Sequence, residues 1–102
     1  MNDTFYTLAC WKVKQGNEEQ FINSWKEMGD TLATIPQFSI KSKLIQSLKD
    51  PTLFYSFGPW ESLEDIEETN TDPQAQKIIQ RVMDLCENFE TGIYRLEVQM
   101  QI

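Results

Sequence analysis

The groups that could do chemistry in this 102-residue chain are bounded first by what is missing. There is no His, which removes Ser–His–Asp triads, imidazole bases and haem-ligating imidazoles together. Two thiols, Cys10 and Cys86, are too few for a Cys-rich zinc or iron–sulfur site. Neither sits in a local basic cluster, so both are expected as reduced, buried thiols rather than as nucleophiles. The acidic run Glu61, Glu64, Asp65, Glu67 and Glu68 lacks the spacing and central Gly of a Ca²⁺ loop. It reads as the solvated start of a helix, where acids favour the dipole. No metal site is expected, and no carboxylate pair for glycoside chemistry stands out. What remains is aromatic: 6 Phe, 3 Tyr and 3 Trp, enough to line an apolar pocket or simply to fill a core.

The elements that must position these groups fit one domain, residues 1–102, because a chain of this length has no room for a second core. A hydrophobic fraction of 40% argues against disorder. The net charge of −7 makes nucleic acid and anionic membranes poor partners. No apolar run approaches the ~20 residues of a membrane span, and no export signal opens the chain, so a cytoplasmic location is expected.

Thr4 to Val13 is rich in aromatic and β-branched residues and reads as a strand. Phe5, Thr7, Ala9, Trp11 and Val13 share one face, with Tyr6, Leu8 and Cys10 on the other. Gly16-Asn17 breaks it, and Asn17 with Gln20 suggests a capping box. Phe21, Ile22, Trp25, Met28, Leu32 and Ile35 then recur at helical spacing, up to a stop at Thr34 or Ile35 before Pro36. Gln37–Leu48 and Thr52–Phe57 read as a hairpin around Asp50-Pro51, stopped by Gly58-Pro59. Ser62 can cap a short helix from Leu63 to Glu68, and Asp72-Pro73 opens another carrying Ile78, Ile79, Val82, Leu85, Cys86 and Phe89. Thr91-Gly92 reads as a turn into a last strand, Ile93 to Met100.

Strand, helix, two strands, helix, strand is the order of a ferredoxin-like βαββαβ sandwich, an α+β fold. Helices cover one face of such a sheet. The first strand is apolar on both faces, and Tyr94, Leu96, Val98 and Met100 oppose Ile93 on the last. The simplest cover for the second face is a copy of the same sheet, so a homodimer through the sheet face is expected.

Two runs carry a resemblance. ACWKVKQGNEEQFINSWKEM, a strand and Gly turn leading into a Glu-rich helix with Phe and Trp, resembles the opening of antibiotic-biosynthesis-monooxygenase domains. SLKDPTLFYSFGPWESLEDIEE resembles their central hairpin, with its Asp-Pro turn and Trp-Glu-Ser step. The resemblance implies a dimeric α+β barrel. It does not extend to the haem-degrading members. Aligned through Gly16, their first-strand Asn falls on Ala9; aligned through Pro73, their Trp and His fall on Thr69 and Ile79.

What the resemblance implies about activity is a monooxygenase that works without a metal, flavin or other cofactor on an aromatic or quinol-type compound. Such an enzyme excludes water, holds the ring and helps remove a proton, while the deprotonated substrate passes an electron to O₂. Trp11, Phe21 and Trp25 are the candidate pocket-lining aromatics, Tyr55 offers a hydroxyl and Arg95 a cation. No residue is assigned a catalytic role. Each candidate has a plainer reading: core packing for Trp11, Phe21 and Trp25, a wetted strand position for Tyr55, a surface ion pair for Arg95. The alternative function is a non-catalytic homodimer that binds a small molecule or fills its interior with side chains.

Overall fold

The computed structural model describes residues 4–36, 38 and 41–101. In chain order the elements are β1 (Phe5–Val13), α1 (Glu18–Leu32), β2 (Lys43–Gln46), β3 (Leu53–Trp60), α2 (Leu63–Thr71), α3 (Pro73–Met83) and β4 (Cys86–Arg95). The strands pair antiparallel in the order β2-β3-β1-β4. This is the ferredoxin-like α+β arrangement that the element order predicts.

Register decides which side chains share a face. Trp11 lies opposite Phe54 on β3 and Phe89 on β4, and Val13 opposite Cys86. These residues meet Phe21, Met28 and Leu32 of α1 and Ala75 and Val82 of α3 in the core. Both helices therefore cover the face bearing the odd-numbered residues of β1. Phe21, with no exposed surface, packs its ring 4.8 Å from Phe54 and 5.4 Å from Trp11. Burying one such side chain contributes about 1.5–3 kcal/mol. The other face carries Tyr6, Leu8 and Cys10 of β1, Ile45 of β2, Tyr55 and Phe57 of β3, and Tyr94 of β4.

Local signals place most of the boundaries. The Ser62 hydroxyl accepts from the Asp65 N–H, and the Asp72 carboxylate accepts from Gln74 and Ala75 N–H, so each begins its helix as a cap. The Asp50 carboxylate accepts from Thr52 N–H, Thr52 Oγ1 and Lys12 Nζ, which closes the β2–β3 turn and ties it to β1. Those bonds, Lys12 first and Thr52 second, hold its carboxyl down at about 2.

Several expected boundaries move, each for a visible reason. Asn17 makes no side-chain cap; the Gly16 N–H donates to Glu18 Oε1 at 2.6 Å instead, and Gly16 turns the chain with φ +94°. α1 ends at Leu32, and tighter turns through Ile35, closed by Thr34 N–H to Thr31 O and Ile35 N–H to Leu32 O, replace its last residues. β2 spans four residues rather than the expected 37–48, of which Gln37, Ser39 and Ile40 lie outside the described residues. β3 does not stop at Gly58-Pro59. β2 pairing ends at Phe57, and a proline is tolerated where a strand has lost its neighbour on one side.

The largest correction concerns β4, which begins at Cys86 and runs through Thr91-Gly92, while residues 96–101 lie beyond it. Leu85, Cys86 and Phe89 are therefore not on α3. A bulge between Lys12 and Val13 leaves Glu87 without a partner, so Cys86 and Phe89, three apart, face the same side. That spacing imitates a helix. Gly92 is not a turn residue: a Cβ there would lie 2.9 Å from the Tyr94 ring, which folds across the backbone. Val98 and Met100, 78% and 86% exposed, belong to no strand, so Tyr94 is β4's large apolar contribution to the uncovered face.

Candidate functional site

The helix-covered face is layered by residue size. Reading β1 against β3, the pairs are Trp11 with Phe54, Ala9 with Ser56, Thr7 with Gly58, and Phe5 with Trp60. Two bulky pairs thus bracket two small ones. The helix above repeats the pattern. Trp25, Gly29 and Ala33 follow at four-residue intervals along α1 and its C-terminal turn, and a Cβ added to Gly29 would meet nothing within 4 Å.

Small residues facing small residues leave room. A cavity of about 490 Å³ opens there, with Thr7 and Ser56 on the sheet side, Trp25, Met28, Gly29, Leu32 and Ala33 on the α1 side, and Phe38, Ser42 and Trp60 at the end. Small-molecule sites commonly span about 300–1,000 Å³. Phe38 meets Trp60 edge-on at 5.6 Å and closes that end. Gly58 is fixed by close approach: a Cβ would lie 2.6 Å from Ser42 Oγ and 2.9 Å from Ser42 Cα.

Among the described residues the polar atoms around the cavity are few. Trp11 Nε1 donates to Ser56 Oγ, and Trp60 Nε1 donates to Thr7 Oγ1, both at 2.9 Å. Trp25 Nε1 is buried and has no partner among the described residues. The charged side chains in the wall are Lys26 and Asp30, four apart on the exposed side of α1.

The five sequence candidates separate. Trp25 is in the wall of the cavity. Trp11 and Phe21, 3% and 0% exposed, lie in the adjoining core, and Trp11 reaches the site through its bond to Ser56. Tyr55 is on the opposite face of the sheet beside Cys10, and the hydrogen bond with that thiol raises its phenol above the usual range. Arg95 ends β4, and its Nε lies 3.4 Å from a Glu97 carboxylate oxygen, both side chains being more than half exposed. The residues that sequence reasoning passed over are Thr7, Ser42 and Ser56, and the signal was present. Phe-Ser-Gly-Trp at alternate positions 54, 56, 58 and 60 is an inward strand face with a gap in its middle.

The thiols and carboxylates offer little beside this. Cys10 and Cys86 are free, and burial pushes the Cys86 thiol up to about 11, against nucleophilic use. Among the described residues no group of three or more Cys, Asp or Glu converges as a metal site. Of the three positions aligned with the haem-degrading set, Ala9 is a strand methyl, Thr69 bonds its own helix at the Asp65 carbonyl, and Ile79 packs on the core. Among the described residues no helix is long and apolar enough to cross a membrane.

Comparison with known proteins agrees on the architecture. A point mutant of SnoaB, a cofactor-independent oxygenase from Streptomyces nogalater, superposes with a TM-score of 0.86 at 13% identity, over 96% of this chain and 97% of that one. A conserved protein from Methanosarcina mazei gives 0.79 at 18% identity, covering 93% and 94%. A Nitrosomonas europaea protein named for the antibiotic biosynthesis monooxygenases gives 0.76 at 19%, covering 92% and 90%. At these identities the likeness establishes the fold. A sequence search among curated proteins returned no match. The family model for antibiotic biosynthesis monooxygenase matches residues 4–81, most of the chain, and this protein therefore belongs to that family.

Proposed function

We propose that this protein is a cofactor-independent monooxygenase acting on an aromatic or quinol-type molecule held between α1 and the small-residue layers of the sheet. The observation that carries the reading is the 490 Å³ cavity, walled by Trp25, Trp60 and Phe38 with a few hydroxyls. Its size suits a two- or three-ring compound, and its walls suit flat apolar faces. Family membership and the likeness to a cofactor-independent oxygenase support the same chemistry.

In this reading the substrate supplies the electrons. A phenol such as 1-naphthol loses its proton to the exposed Asp30 carboxylate of the wall, and the Lys26 ammonium, four residues before it on α1, favours the phenolate. The electron-rich ring reduces O₂. One oxygen atom bonds to the ring carbon para to the hydroxyl, and the other leaves as water with two hydrogens of the substrate. The product is 1,4-naphthoquinone, so C₁₀H₈O + O₂ gives C₁₀H₆O₂ + H₂O. The protein's part is to orient the ring and exclude water.

The same proposal includes a dimer in the cytoplasm. Tyr55, Ile45 and Tyr94 on the uncovered face are 37%, 51% and 54% exposed, beside Leu8 and Phe57. A second copy would cover this face and form the α+β barrel typical of the family.

An oxygen electrode with 1-naphthol and 1,4-dihydroxynaphthalene tests the activity. The expected result with 1-naphthol is one O₂ consumed per quinone formed, slowed in Asp30→Asn. No uptake above the uncatalysed rate overturns it. A second reading, a non-catalytic carrier, is favoured by the scarcity of titratable groups in the wall, where Lys26 and Asp30 are both exposed. It predicts ring binding without oxygen uptake. Light scattering tests the dimer, with twice the chain mass expected and the single mass contradicting it.

A further inference from the structure

The three indoles of the chain are treated differently. Trp11 and Trp60 each donate to a hydroxyl on the cavity side of the sheet, whereas Trp25, whose ring is part of the cavity wall, has a buried N–H with no acceptor among the described residues. A buried donor left unpaired costs about 1–3 kcal/mol, and native proteins seldom carry one without a reason. The two hydroxyls add to the asymmetry. Ser56 Oγ and Thr7 Oγ1 accept from indoles, and each keeps its own proton to donate.

We infer that Trp25, with Ser56 and Thr7, forms a hydrogen-bond-donor set that selects ring compounds carrying an oxygen acceptor, such as a ring carbonyl or a phenolate, over pure hydrocarbons of the same shape. The inference rests on the proposed occupancy of this cavity and adds what the occupant must present. The Trp25 ring is in the cavity wall while its Nε1 has no exposed surface, so the proposal includes a turn of the ring toward the occupant, which the indole signal below reads. In return the occupant removes the unpaired donor. Phe38, Trp60 and Met28 supply contact area, and that contact is indifferent to the carbonyl. Discrimination therefore comes from the donors, and a ligand without an acceptor leaves Trp25 as it was.

The matched pair 1-tetralone and tetralin differs by one carbonyl and provides the test. In ¹⁵N-labelled protein the three indole N–H signals report directly, and Trp25→Phe identifies the one that belongs to Trp25. The Trp25 signal is expected to move downfield with 1-tetralone and to stay with tetralin. Calorimetry should show Trp25→Phe weakening 1-tetralone binding about 2- to 10-fold, with tetralin within twofold of the unaltered protein. The inference is overturned if 1-tetralone binds with the Trp25 indole signal unmoved, or if the substitution weakens both ligands equally. If neither compound binds, the occupied-cavity reading fails first and takes the donor set with it. The indole signal is read in the unaltered protein, so a poorly folded variant does not blunt the test.

Discussion

The two ends of the helix-covered sheet face are built from the same strands and differ in side-chain volume. At one end Trp11 and Phe54 meet Phe21 of α1 and Phe89 meets Trp11, ring against ring at 4.5–5.4 Å. A few residues along, Thr7, Ala9, Ser56 and Gly58 lie beneath the Gly29 region of α1, and a cavity of about 490 Å³ opens. The solid end secures the fold. The contrast explains how a small chain keeps a binding site inside an ordinary α+β sandwich: it withholds side chains over two layers and uses aromatics on either side as walls.

Substitutions can break this contrast in order of size. Phe21→Ala at the solid end should cost about 3–5 kcal/mol in denaturant unfolding, the range for a buried aromatic removed from a packed core. Ser56→Ala sits where the two ends meet and strips the acceptor from the Trp11 indole. Its expected cost is about 1–3 kcal/mol by the same measurement, with the lost 2.9 Å bond as the cause. Gly29→Ala at the hollow end should do the opposite. The added methyl meets nothing within 4 Å, and a helical Gly is worth about 0.8–1.0 kcal/mol less than Ala, so stability should rise by up to about that amount. A loss there would mean that α1 is seated more closely on the sheet than the contrast requires.

The smallest effect lies outside both ends. Asp50 has a folded-state carboxyl near 2, held down by Lys12 and Thr52, against about 3.9 in an unfolded chain. Its contribution is fully present above about pH 4 and is lost as pH falls through about 2. Asp50→Asn should flatten the acid limb of stability over that window in pH-dependent unfolding and leave ring binding unchanged.

Much of the fold was legible because its signals are local. Ser62 and Asp72-Pro73 announce α2 and α3 within single turns of chain, and the Asp50-Pro51 turn is stabilised by its own Thr52. The start of β4 was not legible because a bulge opposite Val13 gives Cys86 and Phe89 the three-residue spacing of a helix. Bulges belong to a pair of strands, and one strand's sequence does not show its partner. The cavity had the same character. Trp25 was singled out as an aromatic on a helix stripe and does line it, whereas Thr7 and Ser56 entered no candidate set, since a hydroxyl on an apolar strand face carries no periodicity of its own. The alternation of Phe54, Ser56, Gly58 and Trp60 carries half of the gap, and the register that sets Ala9 and Thr7 opposite it completes the space. Tyr55 and Trp11 looked alike as aromatics on neighbouring strands, yet the register sets Trp11 opposite Phe54 and Tyr55 opposite Cys10, which sends them to opposite faces.

The most direct test of the whole account is a crystal structure of the protein equilibrated with 1-naphthol in the absence of O₂. The account predicts ring-shaped density bounded by Thr7, Trp25, Gly29, Ser56 and Trp60, with the Phe21 and Trp11 rings in place beside it. Density on the uncovered face of the sheet instead, or Trp25 and Trp60 collapsed together into the space, would contradict it.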